Sequence, residues 1–274
     1  MHVSALNVYP VKSCAGTSLA TAELDDRGIR HDREFMLVDD QRRFVTQREQ
    51  PRLALVKPVR TATKLTLEAP GMSPLELEPG DSRERYKVSI WRDCVMAADQ
   101  GDLAAEWFST YLGTSLRLVR LPDDVVRPVD PTYATRKEDQ VNFADGYPIL
   151  LISEESLQDL NGRLPEPLPM NRFRPNVVVK GAELPYAEDE WSEIRIGNLT
   201  FQVVKACARC VTTTTNQATA ERGAEPLRTL TTYRHVPRGV LFGQNLIHAT
   251  PGRINVGDSL AIKSLKRGEL HLVR

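Results

Sequence analysis

The sequence predicts an α+β protein with β-barrel character, and three observations point there. Short apolar segments recur between turn residues along most of the 274-residue chain. Only two stretches hold a helical period. The regular alternation of strand and helix that builds a doubly wound sheet is missing.

Taken in chain order, residues 3–9, 35–38, 53–56 and 64–67 read as strands, and 86–91 adds another. The first helix is predicted over 102–112, where Leu103, Trp107 and Tyr111 recur at i, i+4 and i+8 on one face and Gly113 supplies the stop. Residues 121–139 are rich in proline and charge and lack periodicity, so they read as a long connection and a domain boundary. A second helix follows over 154–164, capped by Ser153, with Ser156 opening an amphipathic turn. Strands return over 176–180, 194–196, 199–204, 241–247 and 259–262. No internal repeat or low-complexity tract interrupts the pattern.

A hydrophobic content of 41% is enough for a real core in one large or two modest domains. The 36 basic and 36 acidic residues cancel, so no global field recruits nucleic acid or an anionic membrane. Any anion site must be local. Four cysteines do not make a disulfide framework in a chain of this length. The start MHVSALNVYPVKS has no signal-peptide core, and no stretch approaches the ~20 apolar residues of a membrane helix. The expected setting is reducing and cytoplasmic.

The chemistry is expected in Lys205-Ala206-Cys207-Ala208-Arg209-Cys210, followed by Val211-Thr212-Thr213-Thr214. The flanks 199–204 and 211–215 favour extended backbone, which places both thiols near a strand end. A thioredoxin-type site wants the nucleophile at a helix N-terminus inside a βαβ unit. A structural zinc site wants four ligands, whereas Cys14 and Cys94 are distant singletons. The pair alone is a weak signal, because two ordinary half-buried cysteines would look the same.

Cationic clusters stand where strands give way to turns. Lys12 and Ser13 pair an ammonium with a hydroxyl after the first strand, a natural grip for a phosphate oxygen. Arg30-His31-Asp32-Arg33 precedes another strand, and His31 reads as a packed or exposed histidine, not a ligand. Arg172 and Arg174 precede Pro175, which should bias Arg174 toward extended backbone and so aim its guanidinium.

In order and wording these blocks resemble the MOSC superfamily, and most closely its amidoxime-reducing members. Val8-Tyr9-Pro10-Val11-Lys12-Ser13-Cys14 resembles the family's opening block, and Asp32-Arg33 with Phe35-Met36-Leu37-Val38 its second. Thr46-Gln47-Arg48, Asp145-Gly146-Tyr147-Pro148, Phe173-Arg174-Pro175-Asn176, Cys207-Ala208-Arg209-Cys210 and Leu241-Phe242-Gly243-Gln244 continue it, with Val256-Gly257-Asp258 near the end. The resemblance spans about residues 3–262. It implies an N-terminal β-barrel-like domain over 1–120 and a C-terminal MOSC β-barrel over 121–274.

The same resemblance implies a molybdenum cofactor, with a pterin dithiolene and one cysteine holding the metal. By motif position that ligand is Cys210; chemistry alone does not separate it from Cys207. A soft thiolate suits a thiophilic metal, and Arg209 beside it would favour the ionised sulfur. Lys12, Ser13, Arg33, Arg174 and Asn176 match positions that hold the pterin and its phosphate, and Asp145 matches one that accepts pterin N–H groups. Two blocks depart from the family. Gly146 and Tyr147 replace hydroxyl residues found in some relatives, and the turn 215–219 is shorter and lacks an Asp-Pro.

The implied activity is cleavage of the N–O bond of amidoximes, hydroxamic acids or N-hydroxylated nucleobases. With no dinucleotide fingerprint and no appended ferredoxin, electrons are expected from a separate donor protein, a flavoprotein reductase or small redox carrier. The competing reading is a carrier that binds the cofactor or a sulfur at Cys210 without turnover.

Overall fold

The computed structural model describes residues 1–81 and 84–266. Its largest sheet has nine strands and curls into a half-barrel. Eight of them run in the order Thr17–Leu19, His2–Val8, Val177–Lys180, Ile149–Ser153, Gly239–His248, Leu199–Arg209, Trp191–Ile196 and Leu260–Leu265, and His235–Val236 pairs on Gly239–His248. Alternation fills its inner face: Leu6, Leu151, Val177, Ile194, Phe201 and Leu246 join one buried cluster. Ala22, Leu24, Ile29 and Ile254 belong to the same cluster. They come from a small sheet of Gly252–Asn255, Thr21–Asp25 and Gly28–Ile29, which closes the open side. Strands from the two ends of the chain are therefore interleaved.

A second sheet orders Arg85–Ile90, Asp93–Asp99, Arg117–Arg120, Phe35–Val38 and Phe44–Val45. Its strand Phe35–Val38 is buried on both faces, with Phe35 and Leu37 in one cluster and Met36 and Val38 in another. A third small sheet of Lys57–Arg60, Leu65–Glu68 and Leu75–Leu77 and the first helix, α1 (Asp102–Leu112), cover one face. Helix α2 (Glu154–Arg163) crosses over between Ile149–Ser153 and Val177–Lys180, the parallel pair of the large sheet. The third helix is α3 (Leu227–Arg234).

Ser153 caps α2 by accepting from the Ser156 amide, and Gly113 ends α1 at φ 70°, both as the sequence predicts. Three expectations are corrected. In place of the strand expected over 53–56, Pro51–Leu55 is a 3-10 helix whose Pro51 presets the turn, with the Leu53 amide bonded to the Gln50 carbonyl at 3.0 Å. Leu103 does not share the buried face of α1; it is 68% exposed, and Ala104, Trp107, Phe108, Tyr111 and Leu112 do the packing. The expected extended run 211–215 instead turns. Val211–Thr214 is a 3-10 helix, and the hydroxyls of Thr213 and Thr214 bond back to the carbonyls of Cys210 and Val211 at 2.9 and 2.8 Å. That local bonding competes with a sheet ladder and wins. No helix among the described residues is long and apolar enough to cross a membrane.

Candidate functional site

The seven residues expected to hold a cofactor line one cavity of about 320 Å³: Lys12, Ser13, Arg33, Asp145, Arg174, Asn176 and Cys210; Cys14, Arg30, His31, Cys94 and Arg172 do not line it. The strand Leu199–Arg209 forms its floor. Pairing of this strand with Gly239–His248 slips between Val203 and Lys205 and again between Ala206 and Ala208. Such bulges re-aim side chains beside sites. Consecutive residues from Lys205 to Cys210 consequently all line the cavity, which strict alternation would forbid.

Cys210 stands just past the strand end, at the start of the 3-10 turn. Its sulfur accepts a hydrogen bond from Arg48 Nη2 at 3.2 Å. Burial opposes ionisation of the thiol, but a hydrogen bond from Thr212 and the Arg48 charge outweigh it and hold the pKa below the usual value. Arg209 also favours the ionised sulfur, as expected, but less than Arg48 does. Its Nη1 lies 2.9 Å from the Cys207 sulfur, and its Nη2 bonds the Phe173 carbonyl at 2.6 Å. The adjacent position in sequence points it along the strand toward the other thiol.

Three of the lining residues have left-handed backbone: Ser13 at φ 69°, Arg33 at 47° and Arg174 at 57°. Such conformations are costly for side chains larger than glycine and gather at functional sites. For Arg174 this overturns the extended backbone expected before Pro175. Its amide closes a turn onto the Asn171 carbonyl at 3.3 Å, and its own carbonyl accepts from Arg33 Nη2 at 3.3 Å. Tertiary bonds override the proline bias.

The guanidinium carbons of Arg33 and Arg174 lie 4.2 and 4.3 Å from the Tyr9 ring centre. Arg33 is paired with Asp32 at 2.5 Å and bonded to Asn176 Oδ1 at 3.0 Å. The Asn176 amide is engaged at both ends, since its Oδ1 also accepts from the Leu150 amide and its Nδ2 donates to the Asn7 carbonyl, each at 3.2 Å. It holds Arg33 and the strand ends in place. Arg174 differs. Among the described residues Nη1 reaches only Gln217 Oε1 at 3.5 Å, while Nη2 is buried with no partner. Burial brings its pKa down to about 10.

Lys12 is buried and bonds the Phe143 carbonyl at 2.8 Å and Asp145 Oδ1 at 2.5 Å. Burial lowers its pKa to about 8 against the pull of Asp145. The Asp145 side chain is 63% exposed, yet Lys12, Arg48 and the Trp91 indole N–H crowd around its carboxylate. The surrounding protein opposes its charge, but Lys12 foremost keeps it ionised far below the usual carboxylate range.

Residues 1–115 match the MOSC N-terminal beta barrel domain, and residues 138–261 match the MOSC domain. Mitochondrial amidoxime reducing component 2 of Rattus norvegicus is 36% identical over 277 residues, covering 93% of this chain and 81% of its own. Mitochondrial amidoxime-reducing component 1 of Homo sapiens is 34% identical over 275 residues, with the same shares covered. The chain belongs to the MOSC family, in its amidoxime-reducing component branch.

Within this MOSC chain, sequence reasoning missed Arg48 as the partner of Cys210. Position 48 stands in a quoted family block, yet no spacing rule ties it to position 210. The guanidinium carbon of Arg48 lies 4.6 Å from the Trp91 ring centre, so the hairpin turn between Arg85–Ile90 and Asp93–Asp99 of the second sheet steadies a side chain of the cavity. Gln47 was missed as well. Its side chain exchanges two hydrogen bonds with Gln217, at 3.1 and 3.0 Å, and donates to the Ser13 carbonyl at 2.7 Å.

Proposed function

We propose that this chain reduces the N–O bond of N-hydroxylated compounds, with a molybdenum cofactor held in the cavity and electrons delivered by a separate donor protein. The observation that carries this reading is one cavity that combines a sulfur of lowered pKa with a buried guanidinium nitrogen lacking any partner. A pterin dithiolene with a phosphate asks for a soft sulfur at its metal end and unspent buried cations at its anionic end. The donor set fits. Cys210 would supply the one protein ligand, and the cofactor would supply the remaining soft donors.

Cys210 is the ligand in this proposal, and Arg48 orients its sulfur and favours the ionised form. Lys12, Ser13, Arg33 and Arg174 hold the pterin and phosphate, with Asn176 fixing Arg33 from behind. Asp145 keeps Lys12 aimed into the cavity and offers its second oxygen to pterin N–H groups. When bound, the cofactor supplies a metal that cycles between two oxidation states, and with it the two electrons that N–O cleavage consumes. The balance is R–NHOH with two electrons and two protons giving R–NH2 and water. In this reading the domain proposed over 1–120 brings Lys12, Ser13, Arg33 and Arg48 to the cavity and the domain proposed from residue 121 onward brings Asp145, Arg174, Asn176 and Cys210, and the setting is cytoplasmic.

The test is benzamidoxime reduction with a chemical reductant, alongside molybdenum content per chain. Cys210→Ser should abolish turnover, because a hydroxyl is a poor substitute for a soft thiolate donor. Cys207→Ser should stay folded and at least partly active. Equal loss in the two variants would sink the single-ligand assignment, and an inactive but fully loaded wild type would favour a carrier.

A further inference from the structure

The cavity has two ends. One carries Cys210 and Arg48; the other, five residues back along the chain, carries Lys205, a separation of at most about 16 Å at an extended rise of about 3.3 Å per residue, which the bulge between Ala206 and Ala208 shortens. Ala206 and Ala208 line the floor between them, and their methyl groups leave a low trough. Lys205 Nζ stands 4.4 Å from the Tyr133 ring centre and 5.7 Å from that of Tyr147. The two rings meet edge to face at 5.9 Å, and Arg238 Nη1 donates to the Tyr133 hydroxyl at 3.3 Å.

This arrangement holds the ammonium without spending it. A ring face attracts the charge but accepts none of its N–H bonds in the way a carboxylate would. Among the described residues Lys205 Nζ has no hydrogen-bond acceptor and no ion-pair partner; its backbone carbonyl alone is used, by Asn245 Nδ2 at 3.1 Å. Asp130 senses the charge, but its carboxylate is turned to the Thr132 amide at 2.9 Å, which lowers its pKa more than Lys205 does.

We infer that the Lys205 end is a subsite for a negatively charged tail on the substrate, a phosphate above all, so that the chain favours N-hydroxylated nucleotides over neutral amidoximes. The inference rests on the proposed reaction at the Cys210 end. A base held at that end and joined through its sugar to a phosphate reaches along the alanine trough; a bare amidoxime is too short. The ammonium then gains oxygen acceptors while the tyrosines keep it aimed.

The test compares N4-hydroxycytidine 5′-monophosphate, N4-hydroxycytidine and benzamidoxime as substrates of loaded wild type, Lys205→Met and Lys205→Arg, with a chemical reductant and molybdenum content measured on each. A charge-assisted bond of about 1.5–3 kcal/mol corresponds to a tenfold to hundredfold rise in KM for the monophosphate in Lys205→Met, well above the rise for either neutral compound. Lys205→Arg should restore most of it. Calorimetric titration of cytidine 5′-monophosphate into wild type and Lys205→Met reads the same subsite without turnover, and binding should be lost in the variant. Equal KM changes for all three substrates, or a fall in molybdenum content that assigns Lys205 to the cofactor, would overturn the inference. So would a wild type that does not prefer the monophosphate to the nucleoside. A wild type that binds the monophosphate through Lys205 yet reduces none of the compounds would uphold the subsite and overturn the proposed reduction.

Discussion

Two arginine clusters stand side by side in this molecule, one around Glu34 and one around the cavity that Arg33 lines, and their charges are balanced in opposite ways. Glu34 is 6% exposed and receives His31 Nδ1 at 2.8 Å, Arg60 Nε at 3.1 Å and Arg120 Nε at 2.5 Å. Arg120 pairs further with Asp81 and Asp123. Each guanidinium there has a counter-ion. The cavity is lined by Lys12, Arg33, Arg48, Arg174, Lys205 and Arg209 against the carboxylate of Asp145, with Asp32 behind Arg33 as the one further counter-ion among the described residues. Burying a charge is costly unless it is paired, so the first arrangement is self-sufficient and the second is complete only with an anion in it. Acidic ligand sites in neutral chains are found by this local surplus, which total charge conceals.

The largest effect that separates the clusters is expected at Glu34. Glu34→Gln leaves Arg60 without its ion partner in a buried place, and breaking such a pair from one side costs about 3–5 kcal/mol. For a chain of this size that is a fall in Tm of about 6–20 °C. The pH dependence has a definite sign. Burial alone would raise the Glu34 pKa, but hydrogen bonds from His31 and Arg120 lead the opposing influences and bring it from 4.5 down to about 2. A depressed carboxylate contributes stability above its unfolded pKa and loses it as pH falls through the folded one. Wild type and Glu34→Gln should therefore differ most above pH 4.5 and converge toward pH 2 in thermal or urea melts. A constant difference across that window would mean that Glu34 acts through packing and not through charge.

Arg174→Met should do the reverse. Replacing a buried, under-partnered cation by an apolar side chain of similar length costs the empty protein little stability, with any change within about 1 kcal/mol. Affinity for the anionic cofactor should fall tenfold to a hundredfold, read as molybdenum per chain when cofactor is limiting. Lys12→Ala should behave alike, with a larger loss of stability because Asp145 and the Phe143 carbonyl lose their donor. A strongly destabilised Arg174→Met, or one that loads fully, would place this cavity in the same class as the Glu34 cluster.

How far the two clusters were legible in sequence differs for a physical reason. Lys12, Ser13, Arg33, Arg174 and Cys210 could be found because each sits in a short block that resembles the family's in order and wording, while the strands around those blocks followed from apolar patterning. Glu34 gave no signal. Its partners at 60 and 120 meet it only through register between strands distant in sequence. Arg48 escaped for the same reason, and the bulges that turn Lys205 through Cys210 to one side break the alternation on which sequence reading depends. The left-handed backbone at Arg174 escaped because the proline rule describes an isolated dipeptide, whereas here the Arg33 guanidinium holds the carbonyl. The strand Ile149–Ser153 and helix α3 lacked a readable period, the one a continuous apolar run and the other rich in threonine.

The smallest effect is the sharpest probe of the charge surplus, because it adds one carboxylate without removing any cation. Gln217 is the polar neighbour of Arg174, and its Nε2 donates to Gln47 Oε1 and to the Thr215 carbonyl, each at 3.0 Å. Gln217→Glu gives up those two donated bonds but places an anion beside the Arg174 guanidinium, and the losses and the gain should nearly cancel in stability. The protein should melt within a few degrees of wild type. Its cavity, however, would then be balanced more like the Glu34 cluster. Once desolvation and side-chain entropy are set against the attraction, such a partly exposed ion pair is worth about 1 kcal/mol net, so cofactor affinity should fall about fivefold. Molybdenum content at limiting cofactor and a melting curve on the same preparation decide the matter. Unchanged loading would show that the shape of the cavity, and not its unspent positive charge, is what holds the anion.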